Sequence, residues 1–159
     1  MRNIQVAAGI VKRDGQLLLV HQVSNGRSYW SLPGGVVEDG EDLRAALERE
    51  LSEEAGLRPR GIVELEHITE LRTPSFISVA YVFSVPNWDP APQAAEDPGG
   101  EVDDSRFFDV TEARDRLAEL PWPSMRQPIL DVLQGGTRRF WSYVVEDGHD
   151  ATHARRTTF

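Results

Sequence analysis

The chain has 159 residues, of which 40% are apolar and 27% charged, with a formal net charge of −9 and no cysteine. That length suits one domain around a single sizeable core, and the absence of cysteine excludes disulfides, thiol chemistry and cysteine-based zinc sites. The acidic balance argues against a basic nucleic-acid-binding surface, so a polymeric nucleic-acid partner is not expected.

In chain order, 4–11 and 16–23 are apolar β-type runs joined by Asp14-Gly15, a hairpin turn signal. The first run is broken by Lys12-Arg13-Asp14, too soon for a signal segment or a membrane span, so a soluble, cytoplasmic protein is expected. Residues 24–28 read as a polar loop. Leu43, Leu47 and Leu51 then recur every four residues among alanines and glutamates, which predicts a helix over 41–55. Asp39 or Asp42 can cap its start, and Gly56 stands where a glycine ends it. Two strands follow at 61–71 and 77–85, with a turn at 72–75. The segment 86–100 holds four prolines and two glycines and reads as a long loop. Beyond it come a strand over 101–110, a short helix over 111–120 capped by Thr111, and a helix over 123–133 that Pro128 is expected to kink or shorten. A last strand is expected at 140–145. Residues 1–147 are read as one domain and 148–159 as a flexible polar tail. Periodicity alone supports an α/β domain with segregated helices.

The stretch 35–57 stands out, because its 23 residues hold eight carboxylates against Arg44 and Arg49 and so carry six of the nine net negative charges. On a helix, Glu50, Glu53 and Glu54 project from one face at i, i+3 and i+4, where like charges repel by several tenths of a kcal/mol per pair. A solvated acidic surface is the plain reading of such a face. A bound cation is the other, and oxygen-only ligands would select Mg²⁺ or Mn²⁺ rather than zinc.

The surrounding spacing decides between them. Gly35, Glu41, Arg49-Glu50-Leu51, Glu53-Glu54 and Gly56-Leu57 match the pattern G-x5-E-x7-R-E-U-x-E-E-x-G-U, with U aliphatic, at all nine specified positions. In this the chain resembles the Nudix (MutT-like) hydrolases. Trp30-Ser31-Leu32-Pro33-Gly34-Gly35 is similar to the family's W-x-L-P-G-G lead-in, and Glu101-Val102 followed by Phe107-Phe108 to a recurrent downstream segment. The likeness covers about 4–120; the last forty residues match nothing recognised.

The resemblance implies an α/β/α sandwich with a mixed β-sheet. It implies divalent-metal-dependent hydrolysis of a diphosphate linkage in a nucleoside diphosphate derivative by water attack on phosphorus. Glu50, Glu53 and Glu54 would be metal ligands together with the Gly35 carbonyl. Arg49 would hold Glu53 or another carboxylate in place, with Glu41 acting similarly. The general base would be Glu50, with Glu101 as its rival or as a further metal ligand. The substrate would be a small nucleotide, either a nucleoside triphosphate or a nucleotide sugar such as ADP-ribose; Pro74, seventeen residues past Leu57, is a hint of the latter. Arg27, Tyr29, Arg72, Phe76 and Tyr81 are the candidate substrate contacts. The family is often dimeric, so a homodimer is among its implications. A nucleotide-binding sensor without turnover is the alternative function.

Overall fold

The computed structural model describes residues 1–93 and 95–158. Strands β1 (Arg2–Arg13) and β2 (Gln16–Ser24) form the expected hairpin, with Asp14 and Gly15 at φ 48° and 77°. Two consecutive positive φ angles are what a tight hairpin with right-handed strand twist requires. The same chemistry recurs where a polar loop was expected. Asn25 and Gly26, at φ 52° and 74°, turn β2 directly into β3 (Arg27–Ser31), so the loop shrinks to two residues.

Strand β4 (Gly34–Val36) returns antiparallel along β1, and α1 (Leu43–Ala55) follows. Asp42 caps α1 by accepting the Ala45 N–H at 2.8 Å, which moves the start two residues past the sequence expectation and leaves Asp39 outside. Gly56, at φ 66°, closes the helix with its N–H on the last-turn carbonyls. The proline-rich segment is not wholly loop. Within it β8 (Trp88–Pro90) pairs with β5 (Leu57–Pro59) just past α1. Strands β6 (Glu64–Arg72), β7 (Phe76–Val85) and β9 (Val102–Asp109) lie close to the expected runs. Helix α2 (Val110–Ala118) is capped by Asp109, which accepts the Thr111 N–H, so Thr111 is the capped residue and not the cap. Helix α3 (Pro123–Leu133) starts on a proline and runs through buried Pro128 to its expected end, so Pro128 does not shorten it.

Among the described residues nine strands join in one mixed sheet, in the order β11-β10-β6-β7-β1-β2-β3 with β4 on β1 and β9 on β2; β10 (Phe140–Val144) and β11 (Arg155–Arg156) form its far edge. β1 is parallel to β7 and β10 to β6, while the other pairs are antiparallel. Alternation along the strands divides the core. Leu18 joins Ala7, Val11 and Val85 under Leu47 and Leu51 of α1, whereas Leu17 and Leu19 join Ile10, Val82 and Phe108 under Leu117 of α2 and Ile129 of α3. The result is an α/β/α sandwich.

The C-terminal segment departs from a free tail. Asp150 caps a 3₁₀ turn over Ala151–His153, Ala154 is buried, and β11 pairs with β10. An edge strand bearing Trp141 and Tyr143 has apolar surface and backbone groups to cover, and these residues cover them. Among the described residues no helix is long and apolar enough to cross a membrane.

Candidate active site

Two glycines seat α1 against the sheet. The Gly34 N–H donates to Glu54 Oε1 at 2.7 Å, and a Cβ on Gly34 would lie 2.5 Å from the Ala7 carbonyl oxygen, so only glycine lets β4 run this close to β1. At Gly35 the space of a Cβ is taken by the Glu50 carboxyl group, whose Cδ would be 2.6 Å away. The lead-in strand thus packs its bare backbone onto two carboxylates of α1.

Arg49 organises the rest. Its Nε and Nη2 donate to the two oxygens of Glu41 at 2.8 and 3.0 Å, its Nη1 to Glu50 Oε1 at 2.8 Å, and its Nη2 to the Val36 carbonyl at 3.0 Å. Glu53, one turn along at i+4, is a weaker partner at 3.4 Å. The guanidinium therefore ties the loop before α1 to Glu50 more firmly than it ties Glu53, in a fork geometry that lysine cannot reproduce.

Burial sets the electrostatics. Glu54 is 6% exposed, and desolvation pushes its carboxyl up to about 8; the Gly34 N–H opposes that shift, while the charges of Glu50, Asp97 and Glu53 add to it. Glu50 is raised for the same leading reason, with Arg49 opposing and Glu53 and Asp97 adding. Glu41 is lowered by its hydrogen bonds to Arg49 and to the Glu38 N–H. Among the described residues no three Asp, Glu, His or Cys side chains converge on one point in this arrangement. The donor chemistry nevertheless fits a divalent cation. Like-charged carboxylates held together away from water are disfavoured as anions, and a hard cation beside them would offset both burial and repulsion.

Asp97 is the acidic partner that sequence reasoning missed. It reaches the cluster from the segment after β8 and accepts the Val102 N–H at 2.9 Å. The Asp-Pro-Gly-Gly turn it opens was the available signal, since Gly100 N–H bonds back to its carbonyl. Glu101, the expected loop carboxylate, lies near Tyr29, whose phenol is raised first by burial and then by Glu101 and Glu54.

Two cavities lie beside the strands that lead into this centre. One, of about 410 Å³, lies between the sheet and helices α2 and α3; Gly34 lines it, as do Phe76, His67 and Trp122. The other, of about 370 Å³, is lined by Arg27, Tyr29, His21 and Arg116. Tyr29 links the two, since its hydroxyl donates to Gln22 and its ring packs edge-on against Trp122, both walls of the first. Of the five candidate substrate contacts, Phe76 therefore faces the first cavity, and Arg27 and Tyr29 the second. Tyr81 stands on the opposite pleat of β7 from Phe76, and Arg72 is exposed at the end of β6 near Glu70, so neither lines either cavity. His67 and Arg116 had no signal in the sequence, because only tertiary packing brings them to a cavity.

Comparison with known proteins agrees with this geometry. The model of the NUDIX domain matches residues 3–129. The chain is 38% identical over 69 residues to a MutT-like protein of Streptomyces ambofaciens, covering 43% of this chain and 41% of that relative. It is 44% identical over 59 residues to the CTP pyrophosphohydrolase of Escherichia coli strain K12, covering 36% and 44%. It thus spans less than half the length of these curated relatives. The solution structure of the E. coli ORF135 protein superposes with a TM-score of 0.62 at 26% identity, covering 84% of this chain and 88% of that one. The family match extends over most of the chain and contains the whole Gly34–Glu54 centre, and the chain belongs to the NUDIX domain family.

Proposed function

We propose that this chain hydrolyses a diphosphate linkage in a nucleoside diphosphate derivative, with Mg²⁺ or Mn²⁺ held by Glu50, Glu53 and Glu54 and by the Gly35 carbonyl. The observation that carries the reading is Glu54, a carboxylate raised to about 8 in contact with a backbone N–H and surrounded by Glu50, Glu53 and Asp97. Such a site is unfavourable unless a cation completes it. When bound, the metal neutralises phosphate oxygens and aligns a water with phosphorus.

The protein's own groups supply the rest. Glu50 accepts the water's proton: burial raises its carboxyl above the ordinary carboxylate value, which makes it a better base, and Arg49 fixes its rotamer. Glu101 is the rival base, but Asp97 faces Glu50 and Glu54 from the same segment. The 410 Å³ cavity shares Gly34 with the carboxylate centre and receives the group on the far side of the scissile diphosphate. A nucleoside triphosphate is the favoured substrate class, in keeping with the relative named a CTP pyrophosphohydrolase.

The test is product analysis on nucleoside triphosphates, ADP-ribose, other nucleotide sugars and dinucleoside polyphosphates with Mg²⁺ or Mn²⁺, with Glu53→Gln as control. Turnover that needs the metal and vanishes in the control supports the reading. Metal binding without turnover of any compound refutes it. Within an active panel, Glu50→Gln should abolish kcat; an unaffected rate would transfer the base's role to Glu101.

A further inference from the structure

We propose that His67 selects the occupant of the 410 Å³ cavity, and that this occupant is an uncharged nucleobase whose ring edge hydrogen-bonds the imidazole. The inference rests on the diphosphate hydrolysis proposed above and concerns which nucleoside is taken.

The lining comes first. No Lys, Arg, Asp or Glu is among the described residues that line this cavity, so it offers no counter-charge to a second phosphate. Its walls include the rings of Phe76 and Trp122, which provide faces for stacking a flat aromatic ring. Within this apolar space His67 is 3% exposed and its Nδ1 has no hydrogen-bond partner. Among the described residues only two other buried side-chain atoms share that condition, Asp131 Oδ2 and Trp141 Nε1. Buried polar atoms are nearly always satisfied, so an orphan at a cavity wall marks a place where a ligand atom belongs.

His67 also has the right chemistry. Burial holds its imidazole down to about 4, opposed only in part by Asp131, so at neutral pH the ring is uncharged and offers one donor and one acceptor. Nucleobase edges present the same alternation. Thr69, two residues on and on the same pleat, adds a buried hydroxyl to the floor, and Ser78 on β7 adds a partly exposed one. The placement suits a nucleotide. Gly34 pairs with Ala8, Ala8 with Val82, and Val82 with His67, so the glycine that holds Glu54 and the histidine lie in one row across four strands. Three strand spacings are roughly 14 Å, a reach comparable with an extended nucleoside diphosphate.

The experiment compares kcat/KM for CTP, UTP, ATP and GTP with Mg²⁺ in the wild type, His67→Gln and His67→Leu. The wild type should prefer one base. In His67→Leu the preference should collapse by about tenfold or more, because the group that discriminated is gone. A parallel fall on all four bases, or an unchanged preference, overturns the proposal and leaves His67 a packing residue. Should no compound be turned over, the hydrolytic reading fails by itself and His67 is judged by binding. Imidazole ¹⁵N resonances of the wild type are then followed on titration with nucleoside monophosphates and with ribose 5-phosphate. A shift that depends on the base supports selection by His67; equal response to all, or none, overturns it. That second measurement also stands if the leucine variant fails to fold.

Discussion

At position 54 a carboxylate 6% exposed has one backbone donor and three acidic neighbours, and its pH behaviour follows from that. Folded Glu54 titrates near 8 against 4.5 in the open chain, so between those values the metal-free folded protein keeps a proton that the unfolded chain has released. The stabilisation from this group is complete below about pH 4.5 and is lost as the pH climbs through 8. In the presence of a chelator the melting temperature should therefore fall as the pH rises from about 4.5 to about 8 and level off above that, and Glu54→Gln should flatten that slope. Added Mn²⁺ should restore stability to the wild type at pH 8.5 and do little for the variant. An equally steep slope in Glu54→Gln would place the titrating group elsewhere. Arg49 gives a second residue-scale expectation. Lysine keeps the charge but cannot grip both Glu41 oxygens and Glu50 at once, so Arg49→Lys should lower kcat by about ten- to hundredfold with KM changed only a few-fold. A wild-type kcat in steady-state assays would show that a point charge there is enough.

Helix α1 is fixed at its two ends by Asp42 and Gly56, and it presents Glu50, Glu53 and Glu54 from a defined height and rotation. Asp42→Ala removes the acceptor for the Ala45 N–H, and Gly56→Ala places a side chain at φ 66°; each should cost about 1 kcal/mol in urea denaturation at unchanged m-value. A change under a few tenths in either would mean that packing of Leu47 and Leu51 alone sets the helix. This element was legible in the sequence because period, cap and stop signals coincide within fifteen residues, and the glutamate cluster was legible with it. Elsewhere the local signals competed. Asn25-Gly26 is as strong a hairpin turn as Asp14-Gly15, but the polar residues around it masked β3. β5 and β8 are three residues each and pair across some thirty positions of sequence, so no local pattern marks them. At α2 two capping residues lie two apart, and Asp109 prevails over Thr111. His67 and Asp97 were invisible for a deeper reason. A histidine on a strand becomes a cavity wall only once α3 is laid over that pleat, and Asp97 meets α1 only through the path of its loop.

On the scale of the whole molecule, the acidic centre sits at one end of the β4–β1–β7–β6 row, and the segment beyond the family match builds the other end. Residues after 129 add β10 parallel to β6, and β11 beyond it, with Arg138 and Arg156 stacked over the buried ring of Trp141. This edge supports the cavity indirectly. The Tyr143 hydroxyl donates to Gln127 of α3 at 2.8 Å, and α3 supplies Met125 and Ile129 to the cavity wall. Deleting 150–159 would uncover Trp141, Tyr143 and Val145 and leave β10 with an unpaired edge. Loss of that burial should cost about 1–3 kcal/mol, or roughly 2–4 °C in melting temperature per kcal/mol for a chain of this size. Because α3 loosens while α1 keeps both caps, nucleotide affinity should fall and Mn²⁺ affinity should not. Calorimetry of the truncated protein, by thermal scan and by titration with metal and nucleotide separately, distinguishes this from a dispensable tail. An unchanged melting temperature with unchanged nucleotide affinity would show that the sheet ends, energetically, at β6. A parallel loss of metal binding would mean instead that the two faces of the sandwich are one cooperative unit.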